Sequence, residues 1–502
     1  MRCTISGSAR SASSPACSAW SSIEQMKPGA HVHPRLAVLT PDQVQAVHGF
    51  ALQILAETGV RVDSPRAREV YSSGEGVSVD GDQVRIPPGL VEWAIASAPH
   101  QIEVYDRLGD LRFCLGNDRT RFGIGVTNLY FQDPTTDDVI PFTREHMALS
   151  VRLGGALPQF DVVSTIGILH DLPPAIADLY ATLEMIANTT RPLVLLISDE
   201  SLFIPALDLL EVLHGDLAEK PFILPYFNPV TPLVMNVGTT DKMLAAIERG
   251  LPFIFSNYGM VGMSTPITPA GSLALLLAEL LAGLVFSQLV REGTPVILGS
   301  LPAYFDMKSM VDYYDPLTLL LNLACAEMMT HYHIPHAGTS GSGLGWGSDL
   351  LAAGLLWHDH LTACLGMVGL SPFVGGNLGS KAFSPALVVY ANDVIEAARR
   401  FAAGFQLDAE NVRSDEIHQA GPGGHFLTSE LTLQHYKEDY YASQVFPRLS
   451  LEAWLQKGQP QALDFLRTRT RQLLDDSPPP EDHDDLIGKG EAFIEESIAR
   501  GL

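Results

Sequence analysis

Three His-x-His pairs, His31/His33, His331/His333 and His358/His360, are the plainest candidates for metal chemistry in this chain. Such a pair serves a barrel hydrolase when it stands at the C-terminal end of a strand and leaves one coordination position open. The first pair precedes a helical stretch and the second comes before a strand. The third lies inside a helical run, where residues two apart point about 200° from each other. No bound metal is expected from these placements. Aromatic residues make the stronger pattern. Tyr226, Tyr258, Tyr304, Phe305 and Trp346 fall near strand ends or in loops with little charge around them. Several aromatic faces around one opening suit a quaternary cation.

Two glycine-rich stretches stand beside these aromatics. AGTSGSGLGWGSD (337–349) separates two apolar segments, and GPGGHFL (421–427) presents His425 on a late loop. Glycine at such density is unfavourable unless the backbone needs a positive φ or a close approach. A ligand or partner lying against the loop fits the second stretch, and so does a tight turn with a hydrogen-bonded His425. Glu279 sits at the centre of the apolar run 270–290. It reads either as a catalytic carboxylate or as a buried helix-packing one. The run itself reads as a buried helix rather than a bilayer span, because a carboxylate at mid-membrane is expensive.

The elements that must position these residues follow a rhythm. Apolar strand candidates appear at 120–125, 161–167, 192–198, 221–227, 252–258, 295–300, 334–338 and 372–376, with helical stretches such as 173–189, 269–291 and 350–366 between them. Eight buried strands alternating with helices describe a (β/α)8 barrel, an α/β fold; an open doubly wound sheet is the rival reading. Before it, residues 26–118 read as an N-terminal α+β segment, with Thr40-Pro41 opening a helix and Asp80-Gly81 turning a hairpin. The barrel is expected over 119–440 and a C-terminal helical extension over 441–502, while residues 1–25 read as a disordered or non-native leader. In a barrel, function lies at the C-terminal strand ends. Here those read Tyr226-Phe227-Asn228, Ser256-Asn257-Tyr258, Gly299-Ser300, Gly338-Thr339 and Gly376-Asn377, rich in amides, hydroxyls and aromatics and poor in charge.

The formal net charge of −25 argues against nucleic acid and against a polybasic membrane patch. Five scattered cysteines fit a reducing cytoplasm rather than a disulfide framework.

Longer stretches then become informative together: NPVTPL (228–233), STPITPAGSLALLLAELLAGLVFSQLVREGTPVILG (264–299), HAGTSGSG (336–343) and GPGGHFLTSELTLQHYKED (421–439). By these the chain resembles the trimethylamine methyltransferase family, in its branch without pyrrolysine, over about residues 35–475. The resemblance implies a (β/α)8 barrel and a methyl transfer from a quaternary amine, such as glycine betaine, to the Co(I) corrinoid of a separate carrier protein. A sulfonium or trimethylamine methyltransferase of the same family, or a noncatalytic betaine-binding protein, are the alternatives. Where many relatives carry a Thr-Ser-Asp-Ser-Lys stretch, this chain has Thr339-Ser340-Gly341-Ser342-Gly343. If this loop shapes the pocket, a substrate different from that of betaine-using relatives is expected.

On this reading Trp346 and Tyr258 are cage walls with Tyr226 and Phe305 behind them, and Asn228, Thr339 and Asn377 bind the polar tail. His425 contacts that tail or the docked corrinoid, Glu279 is a further catalytic candidate, and Gly341, Gly343, Gly423 and Gly424 face the corrin ring. The expected partners are a small methylated cation and a cognate corrinoid carrier, with no nucleic acid and no membrane. A cytoplasmic homo-oligomer is expected.

Overall fold

The structure is a computed structural model that describes residues 31–116, 119–339 and 343–501. Eight apolar runs form parallel strands: β1 (Arg121–Ile124), β2 (Val162–Ser164), β3 (Leu193–Leu195), β4 (Ile223–Phe227), β5 (Phe253–Val261), β6 (Val296–Asp306), β7 (His336–Ala337) and β8 (Leu370–Val374). Each pairs with the next, and Leu370 of β8 stands opposite Arg121 of β1, so the sheet closes. A helix follows every strand: α1 (Arg144–Ala156), α2 (Pro174–Asn188), α3 (Phe203–His214), α4 (Val237–Glu248), α5 (Pro269–Val290), α6 (Pro316–Tyr332), α7 (Leu350–Leu365) and α8 (Pro385–Ala403). The expected (β/α)8 barrel is present, with strands where the apolar runs place them. Both faces of a parallel strand are covered, which is why the runs read as continuous rather than alternating.

Local chemistry starts the helices where they are needed. Thr143 caps α1, Asp315 caps α6 and Asp349 caps α7, each side chain accepting from a backbone N–H in the first turn. Proline fills the first helical position of α2, α5 and α6. Helix α5 has no polar face because it needs none. Every residue from Leu276 to Gln288 is buried, between the barrel wall and the helices Pro41–Gln53, Pro65–Ser72 and Pro88–Ser97. It is long and apolar enough to cross a membrane, and here it is a core helix.

Two additions to the barrel bear on the site. The hairpin Ile102–Tyr105/Leu111–Leu115 turns Ile102, Val104, Phe113 and Leu115 into one apolar cluster with Val162, Val194, Leu224, Ile254, Ile297 and Leu370, which fills the N-terminal end of the barrel. At the opposite end β5 and β6 run well past their neighbours, paired from Phe253/Val296 to Val261/Tyr304. Strand β6 then folds back through the antiparallel strand Val311–Tyr313. The sequence places these strand ends at Tyr258 and Ser300; the structure carries the pair on because the β-rich run 301–306 finds partners on both sides.

C-terminal helices Leu451–Gln456, Ala462–Asp476 and His483–Ala499 belong to the same compact unit as the barrel. Arg107 holds Asp482 with its two terminal guanidinium nitrogens, and Arg467 pairs with Asp137. A second unit comprises Ala403–Tyr440 with residues 31–34. In it His31–Val32 pairs antiparallel with Phe405–Gln406, followed by short helices Ala409–Val412, Ser414–Ala420 and Glu430–His435.

Candidate active site

Side chains alternate along a strand, so one residue in two looks into the barrel. On β4 these are Leu224 and Tyr226, on β5 Ile254 and Tyr258, on β6 Ile297 and Leu301, and near β8 Leu370 and Phe373, all members of one lumenal cluster. Tyr226 meets Phe373 edge to face at 5.1 Å between ring centroids. Together they form the floor of the C-terminal mouth. The Tyr226 hydroxyl lies beside Ser256 and Asn228, and burial pushes its pKa well above the usual tyrosine range. Tyr226 Oη and Ser256 Oγ are buried and have no hydrogen-bond partner among the described residues. Buried hydroxyls in that state are uncommon and call for a polar ligand or water.

Above the floor, the Tyr258 hydroxyl donates to Oδ2 of Asp312 on the returning strand. Burial, then the neighbouring Tyr314, then this hydrogen bond hold the Tyr258 proton on, so the phenol stays neutral. Tyr314 is close enough to disfavour ionisation of Tyr226 as well. The rings of Tyr304 and Tyr313 meet at a tilt of 42°, 5.9 Å between centroids, on the same hairpin, and Phe305 stands opposite Asp312 in register. Tyr226 is paired with Ile254, so Tyr258 begins four residues farther along its strand, a rise of roughly 13 Å at about 3.3 Å per residue. The mouth is thus an aromatic-lined well, with the Asp312 carboxylate on the hairpin beside it. Such a site can hold a cation through ring faces and a counter-charge.

The family model described as trimethylamine methyltransferase (MTTB) matches residues 7–500. The chain belongs to that family. Like its relatives, this trimethylamine methyltransferase family member is a methyltransferase. It is 26% identical over 472 residues to the glycine betaine methyltransferase of Desulfitobacterium hafniense (strain Y51), covering 92% of this chain and 97% of the relative. It is 27% identical over 443 residues to the trimethylamine methyltransferase MttB of Desulfitobacterium hafniense (strain DSM 10664 / DCB-2), covering 86% and 87%. Among solved structures, the monomethylamine methyltransferase (MtmB) of Methanosarcina barkeri superposes with a TM-score of 0.50 over 92% of each chain at 9% identity. That likeness is one of fold.

In this family member the expected site residues separate into three groups. Tyr226 and Tyr258 line the well, and Phe305 is on its hairpin. Thr339 is buried after β7, its backbone N–H and C=O both bonded to the Asn322 amide. Asn228 and Asn377 stand at strand ends with their amide groups engaged: Asn228 Nδ2 donates to the Ser256 carbonyl, and Asn377 Nδ2 to Gln132 and the Gly347 carbonyl. They position the mouth's backbone.

Trp346 and Glu279 do not line the well, and the remaining candidates belong to the Trp346 loop or to the second unit. Trp346 was expected as a cage wall, yet its side chain is 74% exposed and makes no ring contact with the tyrosines among the described residues. Its loop is held from below, with Gln132 bonded to the Trp346 carbonyl and Gly343 N–H to the Gly376 carbonyl, and it ends in the Asp349 cap of α7. Gly341 lies outside the described residues. Glu279 is 1% exposed on α5, outside the strand wall. Its carboxylate accepts from Leu233 N–H, Thr231 Oγ1 and Asn257 Nδ2, which explains NPVTPL as a loop tied to that carboxylate; burial raises its pKa to about 7. It is a positioning group for the β4–α4 loop rather than one facing the lumen. His425, Gly423 and Gly424 belong to the second unit, in a turn where Gly423 has φ +80° and Gly424 N–H bonds to the Gly421 carbonyl.

Asp312, Tyr314, Ser256 and Phe373 complete the well and were not among the expected site residues. The charge at this mouth includes the carboxylate of Asp312, hydrogen-bonded to Tyr258. The signal was the clustering of acid and aromatic residues in Val311-Asp312-Tyr313-Tyr314-Asp315, which becomes a rim only once β6 is seen to extend and fold back.

Proposed function

We propose that this chain moves a methyl group from a quaternary amine to the Co(I) corrinoid of a separate carrier protein. The well formed by Tyr226, Tyr258, Phe373 and the Asp312–Tyr258 pair is the observation that carries the reading. Each ring face contributes roughly 0.5–2 kcal/mol to holding an onium, more when water is excluded. Exposed apolar side chains Met263, Ile267, Met307, Met310 and Trp346 stand on the loops after β5, β6 and β7, with Leu350 at the start of α7, a rim suited to a flat and largely apolar macrocycle. The corrinoid, when bound, supplies a reduced and strongly nucleophilic cobalt. The chain's own residues do the rest.

Tyr226 and Phe373 close the floor, and Tyr258 and Tyr314 strip water from the onium head and fix the direction of one N–CH3 bond. As that bond breaks, its electron pair passes to nitrogen, and the amine leaves neutral without needing a proton. No general acid is required, in keeping with tyrosines whose protons are held firmly. Because positive charge leaves nitrogen as the reaction proceeds, an over-tight cage would favour the ground state. A partly open rim answers that demand.

The test is anaerobic. The protein is mixed with Co(I) cobalamin and, one at a time, tetramethylammonium, choline, glycine betaine and carnitine. Loss of the Co(I) absorbance with one of them, and a large rise in KM on Tyr258→Ala, is the expected result. Binding of an onium with the Co(I) spectrum unchanged would replace this reading with that of an onium-binding protein.

A further inference from the structure

We infer that the C-terminal extension carries a docking groove for a second copy of this chain, whose proline run Pro478–Pro480 is the occupant. The inference stands apart from the methyl-transfer reading and concerns how the protein assembles.

A cleft of about 340 Å3 opens on the extension, with Phe446, Pro447, Leu451, Trp454, Pro460 and Phe465 among the residues that line it and no charged residue among them. Its walls are held in place. Phe446 meets Tyr390 of α8 edge to face at 6.0 Å between centroids, and the Trp454 indole N–H donates to the Pro460 carbonyl, which fixes the ring. Leu451 and Leu455, on the helix Leu451–Gln456, are exposed beside it. Rigid aromatic walls without charge are what a polyproline segment docks against, because such a segment is already extended and loses little entropy on binding.

The chain carries such a segment. Ser477-Pro478-Pro479-Pro480 links the helices Ala462–Asp476 and His483–Ala499, with Pro478 and Pro479 exposed. Each of these two precedes another proline, which confines it to extended backbone. Arg107 pins Asp482 just beyond the run and so presents it. The run cannot reach the groove of its own chain. Helix Ala462–Asp476, 15 residues and about 22 Å long, starts at the groove and ends at the prolines. A second copy can reach it. Turned about a two-fold axis across the middle of that helix, two copies lie antiparallel there and each offers its prolines to the other's groove, two contacts in one association step. The exposed side of the helix shows no large apolar side chain, as suits a polar strip between two apolar anchors.

Charge favours this occupant. Exposed Asp475, Asp476 and Glu481 flank the proline run. Exposed Arg448 and Lys457 flank the groove, Arg448 donating to the neutral Tyr441 carbonyl. The two acids near the groove, Glu452 and Asp464, stand in the first turns of their helices, where backbone N–H groups offset them; Asp464 accepts from Gln461 N–H. A chain of net charge −25 repels its own copies unless opposite charges meet at the contact, as they do in this pairing.

Sedimentation equilibrium of the full chain across a concentration series tests this. Wild type should self-associate in a step of two. Pro478→Gly/Pro479→Gly, confined to an exposed connection, should still unfold cooperatively and weaken that step about tenfold or more. Trp454→Ala should do the same, and a mixture of the two variants, each keeping one half of the contact, should associate with intermediate strength. A peptide of residues 475–484 should dissociate wild type. A wild type that stays monomeric would overturn the inference, and peptide binding to that monomer would assign the groove to a proline segment of another protein. Association of the proline variant as tight as that of wild type would overturn it too, by placing the contact on another face.

Discussion

Replacing Glu279 with glutamine should flatten the dependence of stability on pH between about 5 and 8. The carboxylate is 1% exposed and its pKa is raised from the usual 4.5 to about 7, chiefly by burial, against the pull of three hydrogen bonds. For an acid whose folded pKa exceeds the unfolded one, the native state holds the proton through the window between them. Stability is therefore highest below about 4.5 and declines as pH rises through about 7. At about 1.4 kcal/mol per pH unit, the gap corresponds to about 3 kcal/mol lost by pH 8. Glutamine cannot ionise, so that loss disappears, although its amide nitrogen must face either Leu233 N–H or Thr231 and lowers the overall level. Urea unfolding of wild type and Glu279→Gln at pH 5, 6, 7 and 8.5 gives the difference directly, since all other titrations are shared. A difference that stays constant across the series would refute the argument and show that the site carries its charge without penalty.

Two further substitutions probe the scaffold. Gly299→Ala on β6 would place a methyl carbon 2.1 Å from the Ala337 carbonyl oxygen and 3.1 Å from Ser256 Oγ, so strands β6 and β7 must part; a loss of about 1–3 kcal/mol or more in thermal unfolding is expected. Asp482→Ala leaves the Arg107 guanidinium, 6% exposed, without its two-pronged partner. Because Asp482 is 43% exposed and solvent reaches the pair, about 1–3 kcal/mol is expected rather than the full penalty of a buried charge, read from the urea midpoint.

The barrel was legible because each parallel strand is buried on both faces and announces itself as an apolar run, and because proline and capping residues mark the helix starts. The aromatic lining was legible in part. Tyr226 and Tyr258 sit on strands, where alternation fixes their direction, whereas Trp346 sits in a glycine-rich loop whose backbone carries no such rule, and the ring faces solvent. Asp312 and Tyr314 were hidden by a strand that outruns its expected end. Pairing between β5 and β6 decides that length, and pairing is a property of two segments at once. Glu279 shows the reverse case. Its place in the apolar run was evident, but its partners Thr231 and Leu233 lie more than forty residues away in the chain, so no local pattern distinguishes a pinning carboxylate from a reacting one.

The hairpin of Ile102, Val104, Phe113 and Leu115 has a kinetic corollary. It packs against the N-terminal end of the barrel, so on the proposed reaction the amine and the methyl acceptor must share the C-terminal mouth. On the proposed reaction the small molecule has to be seated first, and its demethylated remnant stays trapped until the acceptor withdraws. Turnover would then follow a compulsory order, with product inhibition by the lesser amine competitive toward the methylated one.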